Sequence, residues 1–467
     1  MNLNYEYYKT TRSICPQCKT ILPAKIVFYN DSVYMLKTCK EHGEFFTLIY
    51  SDKHRYREAL KISKPALSPL EFFVNDFKGC GKSCGLCPEH QQHTCLPIIE
   101  ITDHCNMTCP VCLAGNRNQW HMPVKKFEKI INNLLKAEDA LDLVTLSGGE
   151  PTLHPQLFDI VDAARRPEIL NTSISTNGRI FLKDKDLLLK LLEKNVFISL
   201  QFDGFDREAY IKLRGRDILE EKLKILELLE KSSARVSLVM TVMKGVNHKE
   251  IGKVVRYFLE KDFIKSIMFQ PIAFANPGLR YDIEKVITIP GIVTEIANGS
   301  GGIIREADIV NLPCSHPTCF ALTYLLKLDG GGSGEVEYIP IPRFVQVEQY
   351  LDTIKNRTMP GLETESYEKI KENIYSLWSS AGIQPQSRKI LEALKDIISE
   401  IGCCGQDIKP RQLFELAEKN IKSVFIHHFM DAYNLDFSRI MKCCHQYPLE
   451  ENLLIPCCVY NNMKRER

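Results

Sequence analysis

The sequence predicts an α/β protein with a central run of β/α units, a small cysteine-bearing unit before it and a cysteine-rich, mostly helical region after it. Two observations carry this expectation. Between residues 97 and 275, six short apolar runs (PIIEIT, DLVTLSG, NTSISTNG, VFISLQFDG, ARVSLVMTV, IKSIMFQPI) alternate with helix-period segments such as VKKFEKIINNLLKAED, KDLLLKLLEK and EEKLKILELLEK. That alternation means a parallel sheet or a partial barrel. The cysteines, in turn, fall in islands before and after this region and once just inside it.

The chain has 467 residues, 44% apolar and 25% charged, more than one hydrophobic core usually serves. Sixty Lys plus Arg against 58 Asp plus Glu leave a formal charge of +2, without the basic field that holds phosphate backbones, so nucleic acid is not an expected partner. The N-terminus, MNLNYEYYKTTR, lacks the apolar core of a secretory signal, and no stretch reaches the roughly 18 apolar residues of a spanning helix. A cytoplasmic location follows as the expectation. In that reducing setting 18 cysteines read as metal ligands rather than disulfides.

In chain order, residues 1–60 form the first unit. Its two knuckles, Cys15-Pro-Gln-Cys18 and Cys39-Lys-Glu-His42-Gly, suit one tetrahedral ion, rubredoxin-like iron or zinc, with Cys15, Cys18, Cys39 and His42 as the ligand set and His42 alternatively a surface residue. Residues 61–96 form a linker in which Cys80-Gly-Lys-Ser-Cys84-Gly-Leu-Cys87 is followed by Cys95. Four thiolates in so short a span predict an auxiliary [4Fe–4S] cluster, with a closed zinc site as the rival.

Directly after the first strand of the 97–275 region stands Cys105-Asn-Met-Thr-Cys109-Pro-Val-Cys112, which can bind three irons of a [4Fe–4S] cube and leave the fourth open. A zinc knuckle is the alternative, since His104 and His121 are at hand. After the second strand comes Ser147-Gly148-Gly149-Glu150-Pro151, whose glycines allow close backbone approach at the strand's carboxyl end. Beyond Pro277, LDGGGSGEVEYIPIPRF reads as a hairpin-like excursion and 361–441 as mostly helical. In 276–467, Cys314 and Cys319 need partners, which the doublets Cys443-Cys444 and Cys457-Cys458 can supply for a second auxiliary cluster. One member of each doublet suffices; Cys443, Cys444 and Cys458 are the candidates, and Cys403-Cys404 are unassigned.

The triplet followed by Gly-Gly-Glu-Pro resembles the radical S-adenosylmethionine superfamily. The resemblance implies a partial (β/α)6 TIM-type barrel in which the open iron chelates S-adenosylmethionine, reduces it and releases a 5′-deoxyadenosyl radical. It further implies cofactor contacts from Gly148, Gly149, Glu150 and Pro151, from Ser175 and Asn177 at the third strand's end, from Gln201 and Asp203 at the fourth, and from Arg214 to the methionyl carboxylate. Across nearly the whole chain, the ordered motifs CPxC, CxxHG, CGxxCGLCPEHxxHTC, CSHPTC and the terminal CC and PxCxYN pattern resemble the group containing tetraether (membrane-spanning) lipid synthase. That implies carbon–carbon coupling of lipid alkyl chains, an electron donor such as ferredoxin or flavodoxin, and peripheral membrane contact. The same group has been linked to pterin methylation, so a radical methylase acting on a pterin or other small molecule is the alternative. A non-enzymatic iron–sulfur electron carrier has no use for a three-cysteine site, and a peptide-modifying enzyme calls for a leader-binding unit where the metal knuckle stands.

Overall fold

The computed structural model describes residues 4–74, 79–82, 84–114, 120–276, 279–328, 336–356, 385–401, 410–449 and 453–465. The Gly-rich 330–334 stretch and Cys403-Cys404 lie outside these residues.

Four antiparallel strands in chain order begin the protein: β1 (Glu6–Ile14), β2 (Ile21–Tyr29), β3 (Ser32–Cys39) and β4 (Gly43–Tyr50). The β2–β3 turn is Asn30-Asp31, both with positive φ (45° and 61°), the hairpin geometry whose twist matches that of the strands. Alternate residues Ala24, Ile26, Phe28, Val33 and Met35 are buried. Helix α1 (Lys53–Lys61), capped by Asp52 accepting from the Arg55 amide at 2.9 Å, buries Tyr56 against Phe28 and Tyr50.

The barrel follows as β5 (Leu96–Thr102), α2 (Val124–Glu138), β6 (Leu141–Gly148), α3 (Leu157–Ala164), β7 (Ile169–Thr176), α4 (Lys185–Glu193), β8 (Phe197–Gln201), α5 (Arg207–Arg214), α6 (Leu219–Lys231), β9 (Val236–Val242), α7 (Ile251–Glu260) and β10 (Ile264–Pro271). Each consecutive pair of these strands is parallel. Outward positions such as Ile174, Ile198, Leu200, Val236 and Leu238 are fully buried under the helices. Inward positions are small and polar: Thr145, Ser173, Ser199 and Ser237 line a cavity of about 400 Å³. Barrels of this type are usually plugged by bulky branched residues at such positions, so the serines keep the lumen open.

The C-terminal region supplies the expected helices, α8 (Ile289–Gly299), α9 (Val347–Ile354), α10 (Pro385–Ile401) and α11 (Pro410–Asn420), and also strands that the sequence reading did not foresee. These are β11 (Val310–Asn311), β12 (Phe320–Leu328), β13 (Glu337–Pro340), β14 (Ile421–His427), β15 (His445–Leu449) and β16 (Leu453–Pro456). β12 and β13 pair antiparallel as the excursion predicted. β14 adds in parallel beside β10, and β15 in parallel beside β5, so eight parallel strands surround the lumen. The rings of His427 on β14 and His445 on β15 lie 4.2 Å apart across the remaining seam. Among the described residues no helix is long and apolar enough to cross a membrane.

Candidate active site

The cysteine triplet leaves the carboxyl end of β5 on a loop anchored by its own apolar residues. Met107 packs with Tyr210, Ile218 and Leu219, and Val111 with Leu213 and Met243. Its thiols are half-buried, and desolvation pushes Cys105 up to about 12 and raises Cys109, the latter opposed by the neighbouring Arg214. Metal ligation takes the thiolate, so iron binding at these buried thiols would release their protons. His121 is engaged elsewhere: its Nδ1 is 3.0 Å from the Thr102 hydroxyl, and its ring packs against His154.

Gly148 and Gly149 are required by the packing of the strand end itself. Gly148 sits at φ +132°, and a Cβ there would lie 2.0 Å from the Thr102 carbonyl oxygen; at Gly149 it would lie 2.3 Å from that of His104. The strand end is pressed against the root of the triplet loop, and the Gly149 and Glu150 amides each donate at 2.7 Å to Thr102 and His104. Glu150 is equally committed. Its buried carboxylate accepts from the Thr152 amide (3.2 Å), the Thr152 hydroxyl (2.6 Å), the Thr176 hydroxyl (2.6 Å) and the Asn177 amide (2.8 Å). It staples the ends of β6 and β7 together. Pro151 begins the single 3-10 turn that Glu150 caps.

Asn177 reaches the triplet loop, donating to the Asn106 side chain at 2.8 Å, and Arg179 donates to the Asn106 carbonyl at 3.2 Å. Ser175 and Gln201 face the lumen. Asp203 and Arg214 do not stand free for a ligand. The fully buried Asp203 takes both prongs of the Arg214 guanidinium, at 2.6 and 2.7 Å, and Gln201 also donates to it. Arg214 also donates to Thr241 at 3.0 Å and to Cys109. The arginine expected on the methionyl carboxylate is therefore held by aspartate beside the triplet, because a buried charge needs its partner. Sequence reasoning missed Lys222, whose ammonium donates to the carbonyls of Asn177 (2.6 Å) and Gln201 (2.8 Å) and ties two strand ends. Its position on the apolar face of α6 was the only signal.

In the N-terminal sheet, the ligand atoms of Cys15, Cys18, Cys39 and His42 all lie within 4.8 Å of one another, the spacing one tetrahedral ion requires. Cys18 is lowered to about 6 by the Thr20 hydroxyl and amide, and Cys39 is lowered by His42.

The remaining cysteines regroup. Cys84, Cys457 and Cys458 share a core with Cys80, and Cys80 and Cys84 are electrostatic neighbours of Cys87. Cys95 is elsewhere: its thiol hydrogen-bonds that of Cys444, with Cys314 nearby, and these pack with Cys319. Cys443 faces Cys458 and Cys457. The expected set Cys80, Cys84, Cys87 and Cys95 is thus split, since β5 carries Cys95 to the far end of the barrel from the triplet. The lumen touches Cys112 and also Cys95 and Cys444.

Residues 99–258 match the family model described as Radical SAM superfamily, and residues 7–51 match an HMPTM N-terminal zinc ribbon domain. A protein of Methanocaldococcus jannaschii, 7,8-dihydro-6-hydroxymethylpterin dimethyltransferase, is 31% identical over 98% of this chain and 94% of its own. The chain belongs to the radical SAM superfamily. It is an enzyme of that superfamily with a zinc ribbon at its N-terminal end. A probable GTP 3′,8-cyclase of Pyrococcus abyssi is 30% identical over 34% of this chain and 51% of its own. Among solved structures, that of Streptococcus suis SuiB bound to S-adenosylmethionine covers 41% of this chain and 44% of its own at 19% identity and a TM-score of 0.35. The expectation of a tetraether lipid synthase-like enzyme finds no support in these relatives, the full-length one being a pterin enzyme.

Proposed function

We propose that this radical SAM enzyme methylates a reduced pterin. The observation that carries the reading is the full-length similarity to the 7,8-dihydro-6-hydroxymethylpterin dimethyltransferase, which runs through zinc ribbon, barrel and C-terminal strands alike. The lumen supports it. Asn171, Gln201 and Gln270 offer amides between seryl hydroxyls, donors and acceptors for a heterocycle rich in ring nitrogens and carbonyls, and Phe320, His427, Phe429 and His445 form a wall of flat rings.

Cys105, Cys109 and Cys112 would hold the catalytic cluster, which supplies the electron that cleaves S-adenosylmethionine to a deoxyadenosyl radical. Around it, Asp203 fixes Arg214 beside Cys109, Asn106 and Asn177 fix the loop, and the buried lumen keeps water from a reactive radical. The electron comes from a small carrier such as ferredoxin or flavodoxin, and the ribbon holds zinc.

One observation favours a second reading, alkyl-chain coupling. The cavity is lined from Gln201 down to Phe197 and from Pro271 down to Lys265 and Phe414, so it runs the length of the strands, roughly 20 Å at 3.3 Å per residue. Anaerobically reconstituted enzyme, given reductant and S-adenosylmethionine with either 7,8-dihydro-6-hydroxymethylpterin or a native lipid extract, decides between them by mass spectrometry. Methylated pterin formed with deoxyadenosine supports the first reading. Coupled lipid with unchanged pterin overturns it.

A further inference from the structure

We propose that the zinc ribbon positions the loop of the cysteine triplet, and that Lys37 is the positioning residue through which it does so. Lys37 stands on β3 where the alternation calls for an apolar side chain. Val33, Met35, Lys37 and Cys39 are the buried face of that strand, and Lys37 is 2% exposed. A charge placed in such a stripe has to be held, because burying it without partners is costly. Its ammonium donates to the Ser13 hydroxyl at 3.0 Å within the ribbon and to the Ala432 carbonyl at 2.8 Å, 395 residues further along the chain.

Residues 428–436, which leave the end of β14, carry the link onward. Asp431 is 1% exposed and has Lys37 as a charged neighbour. Its carboxylate accepts from the Tyr433 amide at 2.8 Å, which closes the turn, and from the Phe274 amide at 2.8 Å, just beyond β10. Asn276, two residues on, donates from its side chain to the Cys112 carbonyl at 3.3 Å. A continuous path of hydrogen bonds and short backbone steps therefore runs from the ribbon to the third cysteine of the triplet.

Packing follows the same route. Leu48 on β4 shares one apolar cluster with Val111, which lies between Cys109 and Cys112, and with Ile272 and Phe274. Ile14 on β1 shares another with Ala273, Phe429 and Ala432. Tyr433 stacks on Tyr281 with ring centroids 4.2 Å apart and meets the ring of Phe45 edge-on at 6.4 Å. Ile272, Ala273 and Phe429 also line the lumen, so the ribbon braces the cavity wall together with the loop. Apolar surfaces alone can slide past one another; hydrogen bonds of fixed length and direction set one register between ribbon and loop.

Hydrogen exchange read by mass spectrometry on the full-length, metal-loaded chain tests this with no substrate beyond S-adenosylmethionine. Lys37→Met keeps the length of the side chain and removes both donated bonds. Zinc and iron contents are expected to stay at wild-type levels while the amides of 272–276 and 109–114 exchange about tenfold faster. The KM for S-adenosylmethionine in deoxyadenosine release is expected to rise severalfold at a temperature well below unfolding, where a loss of stability alone would leave it unmoved. Asp431→Asn is expected to speed the same amides, and the double variant to speed them no more than the faster single one, because both cut one path. Acceleration confined to the ribbon, or an unchanged KM, overturns the proposal. Should these variants fail to fold, Asn276→Ala, at the half-buried last link, decides the matter. Faster exchange at 109–114 and a raised KM, with 428–436 still protected, support the path; wild-type values for both overturn it.

Discussion

Replacing Glu150 with Gln tests whether that carboxylate is a staple or a ligand for the cofactor. Four protein donors converge on it, two from Thr152 and one each from Thr176 and Asn177, and the residue is 1% exposed. An amide keeps the volume but turns one acceptor oxygen into a donor. If that donor takes the place of Oε1, the two hydroxyls can rotate but the Thr152 amide cannot; in place of Oε2 it meets the Asn177 amide. Either way one backbone N–H loses its acceptor, at about 1–3 kcal/mol, and the surviving bonds lose the strength a charged acceptor gives. The sum is about 3 kcal/mol of stability. Denaturant unfolding read by circular dichroism, with hydrogen exchange at the Asn177 amide, measures it, while deoxyadenosine release gives the KM for S-adenosylmethionine. A variant with wild-type stability and wild-type exchange but a raised KM would refute the staple and restore the direct cofactor contact.

Three further outcomes follow from buried or clustered groups. Asp203→Asn leaves Arg214 charged and only half bonded in a site where both are at least nine-tenths buried, so a loss of about 3–5 kcal/mol and of deoxyadenosine formation is expected, whereas Arg214→Lys, which keeps the charge but not the fork, retains the fold better than the activity. Metal analysis of the full chain is expected to find one zinc per zinc ribbon; His42→Ala lowers it and increases proteolysis within 7–51 while iron stays constant. Lys422 is buried between the carbonyls of Phe258 and Lys261, and burial lowers it from 10.5 to about 7. Between those values the unfolded chain binds more protons than the folded one, so stability rises with pH from about 7 towards 10.5 by at most about 1.4 kcal/mol per unit. Below 7 both states are protonated and this slope vanishes. Lys422→Met is expected to remove the slope, read from denaturation midpoints at successive pH values.

The barrel was legible because its strands are short, β-branched and bounded by turn residues, and because helices such as Val124–Glu138 show an apolar stripe at helical period. The triplet was legible because its spacing is local. What escaped the sequence is what depends on long-range register. Strands β14 and β15 come from the region read as helical, and only the pairing of Ser266 with Ser423 and of Leu96 with His445 shows that they join the barrel. The same register moves Cys95 from its neighbours in sequence to Cys444, some 350 residues away. Arg214 and Asp203 were picked out as polar residues at the right strand end, yet nothing in a linear pattern tells that they choose each other.

The two ends of β5 explain why those cysteines are divided as they are. One strand of seven residues carries the triplet loop at its carboxyl end and Cys95 at its amino end, and both Ile98 and Glu100 between them face the lumen. Glu100 is itself held by Arg465 from the C-terminus, and Leu454 and Ile455 of β16 are buried against the barrel, so the last residues of the chain brace its first barrel strand. A displacement of β5 would therefore move both cysteine groups together and preserve their separation. The C-terminal strands fix the spacing between the two ends of the cavity as well as closing its wall, and a substitution such as Arg465→Met, which frees Glu100, acts on both ends at once.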